Sequence, residues 1–262
     1  MSSAGSLLPR VNGRTLLVAS VLAVAGGAWL GLWLLGQPFH SSLHGHQHHH
    51  HSAASANLQA PAMLLFVFGW TMMTMAMMLP TTLPLLMVFR KITSEKVDKA
   101  ILVILLAVGY VFAWTVFGVL VYLAKAGLER LTALSPWLNE HSWAVSACLV
   151  LAAGVFQFTP LKYRCLEKCR SPLSFVISHW RGERERWQSF RLGLDHGIYC
   201  IGCCWALMLL MFAVGAGSLL WMIVLAVVMG IEKNVSWGNK LSAPLGILLV
   251  ASGLVLLVKG PG

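Results

Sequence analysis

The sequence predicts an all-α fold, a polytopic transmembrane helix bundle with about seven spans and one short interfacial helix. Of its 262 residues, 58% are hydrophobic and 11% are charged, whereas soluble domains carry about 25% charged residues. The mean hydropathy is +0.75. Besides this composition, two further observations support the prediction. Seven apolar runs are separated by polar segments, and lysine and arginine are unevenly distributed among those segments.

We interpret residues 1–262 as a single membrane domain that contains all seven apolar runs. The predicted spans are residues 15–36, 61–89, 100–124, 142–158, 192–214, 219–231 and 243–258. The first run exceeds the roughly 7–15 apolar residues of a signal-peptide core, so we expect it to be retained. Pro80 and Pro84 should kink the second span and free backbone carbonyls. Residues 173–180 are apolar but too short to span, and predict the interfacial helix.

The basic residues predict the orientation of the bundle. Sixteen of the 19 lysines and arginines fall in segments on one side of this layout, and only Lys125, Arg130 and Lys259 fall on the other. The positive-inside rule therefore predicts a cytoplasmic N-terminus and an external C-terminus. Residues 37–59 form an external loop and residues 159–191 a cytoplasmic one. Topology accounts for the net charge of +10, so we expect lipid rather than nucleic acid as a partner.

A stretch at residues 195–208 concentrates thiols in the fifth span. On an α-helix, His196, Cys200, Cys203 and Cys204 form one stripe. Thiolate and imidazole are ligands of soft and borderline metals, so these four residues are candidate metal ligands. Buried cysteines also pack as small hydrophobes, which is the alternative reading.

A second pair of thiols lies in the predicted cytoplasmic loop, where thiols stay reduced. Cys165 and Cys169 are four residues apart and are flanked by basic residues, which favour the thiolate. Two thiols cannot close a tetrahedral site, so further ligands must come from elsewhere. Cys148, in the fourth span, is expected only to pack.

The second span carries a methionine cluster from which Met73, Met77 and Met78 are candidate thioether ligands. Counting residues from the predicted cytoplasmic ends places these methionines at the depth of the cysteine stripe. Counting residues from the turn between the fifth and sixth spans places Glu232 beside Cys200 and makes it a further candidate ligand. If the two clusters face each other, they form one soft-ligand site near mid-membrane.

The external loop is rich in histidine and predicts auxiliary metal capture. Neutral imidazoles in such tracts bind Cu²⁺, Ni²⁺ or Zn²⁺. The residues concerned are His44, His46, His48, His49, His50 and His51.

The order of several motifs resembles that of a bacterial family of predicted metal-binding integral membrane proteins, a domain family of unknown function. The similarity runs from about Met63 to the C-terminus, and the cysteine motifs are its most specific part. The resemblance implies a polytopic membrane fold and a metal site, with no assigned activity. The motifs are Trp70, Ala76–Pro80, Gly109-Tyr110 with Trp114, Thr159–Lys162, Cys165 to Arg170, His196 to Trp205, Trp221-Met222 and Glu232-Lys233.

These observations favour a non-enzymatic protein that binds, transports or delivers a soft metal. Thiolate, thioether and imidazole together suit Cu(I) best, and Zn, Ni or Co remain alternatives. A metallochaperone or a membrane metalloenzyme is the expected partner. Two other classes stay open: a membrane thiol-disulfide oxidoreductase using Cys200-x-x-Cys203, and a structural subunit of a larger membrane metalloenzyme complex.

Overall fold

The computed structural model describes residues 13–34, 56–214 and 218–259, and every regular element in these ranges is helical. This confirms the all-α fold. Short 3₁₀ turns occupy Pro80–Thr82 and Gly238–Leu241. The α-helices are α1 (Gly13–Leu34), α2 (Ala56–Met77), α3 (Leu83–Ile92), α4 (Lys99–Leu134), α5 (Pro136–Glu140), α6 (Ser142–Phe156), α7 (Pro160–Arg170), α8 (Pro172–His179), α9 (Glu185–Val214), α10 (Leu219–Asn234) and α11 (Ser242–Lys259).

Several of these helices are long and apolar enough to cross a membrane. Within the described ranges, five helical stretches meet that condition: α1, most of α2, α4, most of α9, and Gly238–Val258, which includes α11. A sixth arises if α6 and α7, which meet at 64°, form one bent span. Helix α10 has 16 residues, or about 24 Å, which is less than the hydrocarbon thickness of about 30 Å. The predicted seven spans therefore stay a prediction.

The second predicted span is broken rather than kinked. Helix α2 ends at Met77, a 3₁₀ turn follows at Pro80–Thr82, and α3 begins at Leu83. Proline has no N–H and its ring clashes with the preceding turn, so the α-helix cannot run through Pro80. The hydroxyls of Thr81 and Thr82 donate to the carbonyls of Met78 and Leu79, at 2.8 and 2.7 Å. These two carbonyls also accept the backbone N–H groups of Thr81 and Thr82. The carbonyl that loses its donor to Pro80 is that of Ala76, and it accepts the indole N–H of Trp29 at 3.2 Å.

The predicted cytoplasmic loop, residues 159–191, is largely helical. Thr159 accepts a hydrogen bond from the backbone N–H of Lys162 and so begins α7, with Pro160 in its first turn. Helix α8 matches the short helix predicted at 173–180 and buries Phe175 and Val176. Helix α9 begins at Glu185, seven residues before the predicted start at residue 192. The charged residues of its first turns masked this extension in the hydropathy pattern.

Helices α4 and α9 make a close backbone contact at two glycines. A Cβ on Gly109 would lie 2.1 Å from the carbonyl oxygen of Phe190, and one on Gly193 would lie 1.9 Å from that of Leu106. Glycines at an interface let two helices touch along their backbones. Helix α2 joins this pair because the Trp70 indole N–H donates to the carbonyl of Trp114 at 3.0 Å. Helix α4 therefore contacts both α9 and α2.

The glycine contact predicts that Gly109→Ala destabilises the protein. The new methyl group would overlap the Phe190 carbonyl, and overpacking typically costs about 1–3 kcal/mol. Gly127→Ala on the same helix is the matched control, because nothing lies within 4 Å of its added Cβ. Thermal unfolding of detergent-solubilised protein measures both. Equal melting temperatures for the two variants would contradict the close packing.

Candidate metal centre

Three thiols of α9 form the centre of the candidate site. Cys200, Cys203 and Cys204 are all buried, at 1–2% exposure. The thiols of Cys203 and Cys204 donate to the backbone carbonyl of Cys200, at 3.1 and 2.9 Å. The three side chains therefore stay together, as the predicted stripe requires.

Helix α7 adds its own thiols to this centre. The sulfur of Cys169 lies 4.0 Å from that of Cys203. A Cβ on Gly202 would lie 2.6 Å from the sulfur of Cys165. The missing side chain at Gly202 therefore makes room for α7 to approach α9. Thiols 34 residues apart in sequence share one region of the bundle.

One methionine of the predicted cluster reaches the thiols. The Met78 sulfur lies 4.0 Å from the Cys204 sulfur. Met73 and Met77 are also buried, and Met77 lines a groove with Pro80 and Ile231. This contact agrees with the equal depth expected for the methionine cluster and the cysteine stripe. Met78, which makes the contact, is the last methionine of its cluster.

A buried lysine occupies the space between the sulfurs. The ammonium of Lys233 donates to the sulfur of Cys200 at 2.8 Å, of Met78 at 3.4 Å and of Cys204 at 3.7 Å. The Tyr110 hydroxyl lies 3.0 Å from the Cys200 sulfur on another side. Sequence counting placed Glu232 beside Cys200, and the structure places Lys233 there. Consecutive helical residues point about 100° apart, so counting depth did not fix which one faces the thiols.

Glu232 belongs to a separate polar cluster. Its carboxylate accepts hydrogen bonds from the Lys162 ammonium and the Ser242 hydroxyl, each at 2.7 Å. Lys162 also donates to the side-chain oxygen of Gln157. The Arg170 guanidinium donates to the backbone carbonyl of Glu232 at 2.5 Å. The carboxylate is committed to an ion pair that ties α7 to α10 and α11, so it is not placed as a ligand.

His196 lies beside the thiol centre within an aromatic pocket. Its ring centre is 5.8 Å from that of Tyr110 and 5.4 Å from that of Phe175. The residue is buried, and its Nδ1 is among the buried side-chain atoms of the described residues without a hydrogen-bond partner. A buried imidazole nitrogen without a partner is costly, which is consistent with a proton or metal that binds there in another state.

The described residues contain no group of three or more His, Cys, Asp or Glu side chains arranged to hold a metal ion. The Lys233 ammonium stands where a cation shared by Cys200, Cys204 and Met78 would stand. A metal ion bound by these three sulfurs would therefore have to displace the Lys233 ammonium.

Two other expectations concern residues away from this centre. The histidines of the external loop, His44 to His51, lie outside the described residues. Cys148 is exposed on the surface of α6. The sequence predicted only a packing role for Cys148, and in the structure it lies outside the buried core.

Sequence reasoning missed the roles of Tyr110, Gln157, Lys162 and Lys233. Three of the four stand in the motifs that carry the family resemblance, without an assigned role there. The available signal was the Glu232-Lys233 pair at the end of an apolar helix. Charged residues in such a position require partners or water. The structure supplies a partner for each, Lys162 for Glu232 and the Cys200 sulfur for Lys233.

The ion pair predicts that Lys162→Met strongly destabilises the protein, because it leaves the Glu232 carboxylate buried without its cation. Such losses cost about 3–5 kcal/mol, whereas replacing both charges with apolar side chains is often nearly neutral. We therefore expect Lys162→Met/Glu232→Leu to be more stable than Lys162→Met alone.

Lys125→Met, which breaks the exposed pair with Glu129, is the control and should cost at most about 1 kcal/mol. Chemical unfolding in detergent measures all variants. Additive losses in the double variant would show that the two charges do not depend on each other.

Comparison with known proteins assigns the chain to a family. The family model described as "PpoB2: Copper chaperone" matches residues 67–256, which include every thiol of the centre, Met78, Lys162, Lys233 and Tyr110. No curated protein and no solved structure matches the chain. The match covers well over half of the sequence, and the chain belongs to the PpoB2 copper chaperone family.

Proposed function

We propose that the protein binds Cu(I) as cargo at the sulfur centre inside its helix bundle. The observation that carries the proposal is the convergence of Cys169, Cys200, Cys203 and Cys204 with the Met78 thioether in a buried region. Thiolate and thioether are soft ligands and suit Cu(I) better than hard cations. Zn, Ni and Co are the alternative cargoes. The copper chaperone family supports copper.

Lys233 gives the centre a positive charge that the cargo would replace. Its ammonium contacts three of the sulfurs. A buried cluster of thiolates without a nearby cation would be costly in an apolar bundle. Cu(I) also carries one positive charge, so it can take the place of the ammonium while the local charge balance is kept.

Cys169 and Cys165 provide a path for ligand exchange between the centre and a partner. Cys169 is partly exposed, while the three thiols of α9 are buried. A metal that passes from Cys203 to Cys169 by successive ligand exchange moves towards the accessible edge of α7. The recipient would be a membrane metalloenzyme, or the donor a metallochaperone, and the protein itself would act without catalysis.

His196 would act as an additional ligand or as an acceptor of a thiol proton. Its unpartnered nitrogen and its place one turn before Cys200 support this role. The external histidine loop would capture metal before the metal enters the bundle. This role rests on the sequence alone.

Copper loading should depend on the residues of the centre. We expect Cys200→Ser and Met78→Leu to lower the Cu(I) retained after dialysis against a competing chelator, because each removes a soft ligand. The loss should be greater for Cys200→Ser, roughly tenfold or more, since even outer-shell changes cost about 10–100-fold in affinity.

Cys148→Ser and Met73→Leu are the matched controls, because Cys148 is exposed on α6 and Met73 packs in the core. Elemental analysis of purified protein in lipid nanodiscs measures the copper. Equal copper in all four variants would contradict the proposed centre.

We also propose the orientation predicted by the basic residues, with the N-terminus cytoplasmic and the C-terminus external in a bacterial inner membrane. The two termini lie on opposite sides only if the number of spans is odd. Seven spans give that result and keep residues 159–191 cytoplasmic, whereas six spans, with α6 and α7 as one bent span, place the C-terminus in the cytoplasm. A reporter enzyme that is active only outside the cytoplasm, fused after Gly262, should therefore be active. A second fusion, in which the reporter replaces residues 44–51, tests whether that loop is external. If this second fusion is active and the fusion after Gly262 is inactive, the number of spans is not odd.

A further inference from the structure

We propose that Cys169 and Cys203 form a reversible disulfide between α7 and α9 that switches off copper binding. Their sulfurs lie 4.0 Å apart on two different helices. The switch rests on the proposed function, but the disulfide itself does not.

The packing of the two helices brings the sulfurs within reach of bond formation. A disulfide requires a sulfur–sulfur distance of about 2.05 Å and close Cβ atoms. Gly202, next to Cys203, has no Cβ, and one placed there would lie 2.6 Å from the Cys165 sulfur. The Cys165 side chain of α7 therefore packs directly against α9 at this level, and side-chain rotation at Cys169 and Cys203 supplies the remaining approach.

The two thiols differ in access, which sets the order of the reaction. Cys169 is partly exposed and Cys203 is 2% exposed. An external reagent therefore meets Cys169 first, and the buried Cys203 completes the reaction. Cys165, one turn earlier on α7, is buried at 9% exposure, and its sulfur lies 2.6 Å from where a Cβ on Gly202 would be.

A small-molecule disulfide, such as oxidised glutathione, is the oxidant. The Cys169 thiolate attacks one sulfur of the reagent, whose sulfur–sulfur bond breaks and releases one thiol. The Cys203 thiolate then attacks the Cys169 sulfur of this mixed disulfide, and the second thiol leaves. Overall, the two protein thiols lose two electrons and two protons, and the reagent gains them.

Oxidation would remove two of the four thiols from the copper centre. Cys200 and Cys204 would remain, with Lys233 as their cationic partner. The disulfide would also fix α7 against α9 and block ligand exchange through Cys169. The protein would then bind copper only under reducing conditions.

The test uses the full-length protein in lipid nanodiscs, reduced and then freed of reductant and metal. The protein is treated with oxidised glutathione, quenched with acid, alkylated and digested for peptide mass spectrometry. Trypsin separates Cys165 from Cys169 by cleaving after Lys168. We expect a peptide containing Cys169 linked to the peptide of α9, and its loss on treatment with dithiothreitol.

Variants identify the two partners. Cys203→Ser should accumulate the glutathione adduct on Cys169, and Cys169→Ser should form no link between α7 and α9. Cys165→Ser and Cys200→Ser are the matched controls and should both still form the link. A link that persists in Cys203→Ser, or a disulfide confined to α9, would overturn the proposal. So would unmodified Cys169 in protein whose circular dichroism shows it to be folded.

Copper binding provides the second measurement. The oxidised protein should bind Cu(I) at least roughly tenfold more weakly than the reduced protein, and dithiothreitol should restore binding. A disulfide that leaves copper binding unchanged would overturn the switch. If neither form binds Cu(I), the proposed function fails, while the peptide mapping still decides whether the disulfide forms.

Discussion

Two adjacent buried charges constrain the packing of the described bundle. Glu232 and Lys233 lie near the end of the apolar helix α10, and both are buried. A charge in such surroundings must have a partner. Because neighbouring residues on a helix point in different directions, the two charges reach different partners. Glu232 binds Lys162 of α7, and Lys233 reaches the thiols of α9 and Met78.

This pair of contacts connects the stability of the protein to its candidate site. The Lys162–Glu232 ion pair holds α7 against α10, and α7 is the helix that carries Cys165 and Cys169. The Lys233 ammonium holds α10 against the thiols of α9. The position of α7 relative to the sulfur centre therefore depends on charges outside that centre. A change at Lys162 would disturb the thiols without touching one of them.

The glycines of α4 and α9 provide the complementary apolar constraint. Backbone contact at Gly109 and Gly193 fixes α9 against α4. The same contact brings Tyr110, next to Gly109, to the Cys200 sulfur at 3.0 Å. Small residues at this interface thus determine where a polar side chain meets the centre. Proline has the opposite role in α2, where the break at Pro80 ends the helix and leaves Met78 against Cys204.

The sequence alone determined the all-α fold and identified the thiols that the structure brings together. Composition and periodicity are local properties, so they predicted most of the helices that the structure contains. The stripe of Cys200, Cys203 and Cys204 follows from helical geometry within a single segment.

Only the tertiary structure decided which residues from different helices meet. It selected Met78 from the methionine cluster, placed Lys233 rather than Glu232 beside Cys200, and paired Cys169 with Cys203. Hydropathy gives the depth of a residue in the bundle but not the rotation of its helix, nor the order of helices around the centre. These depend on glycine contacts and buried charges between segments far apart in sequence, and such contacts leave no periodic signal within any one segment.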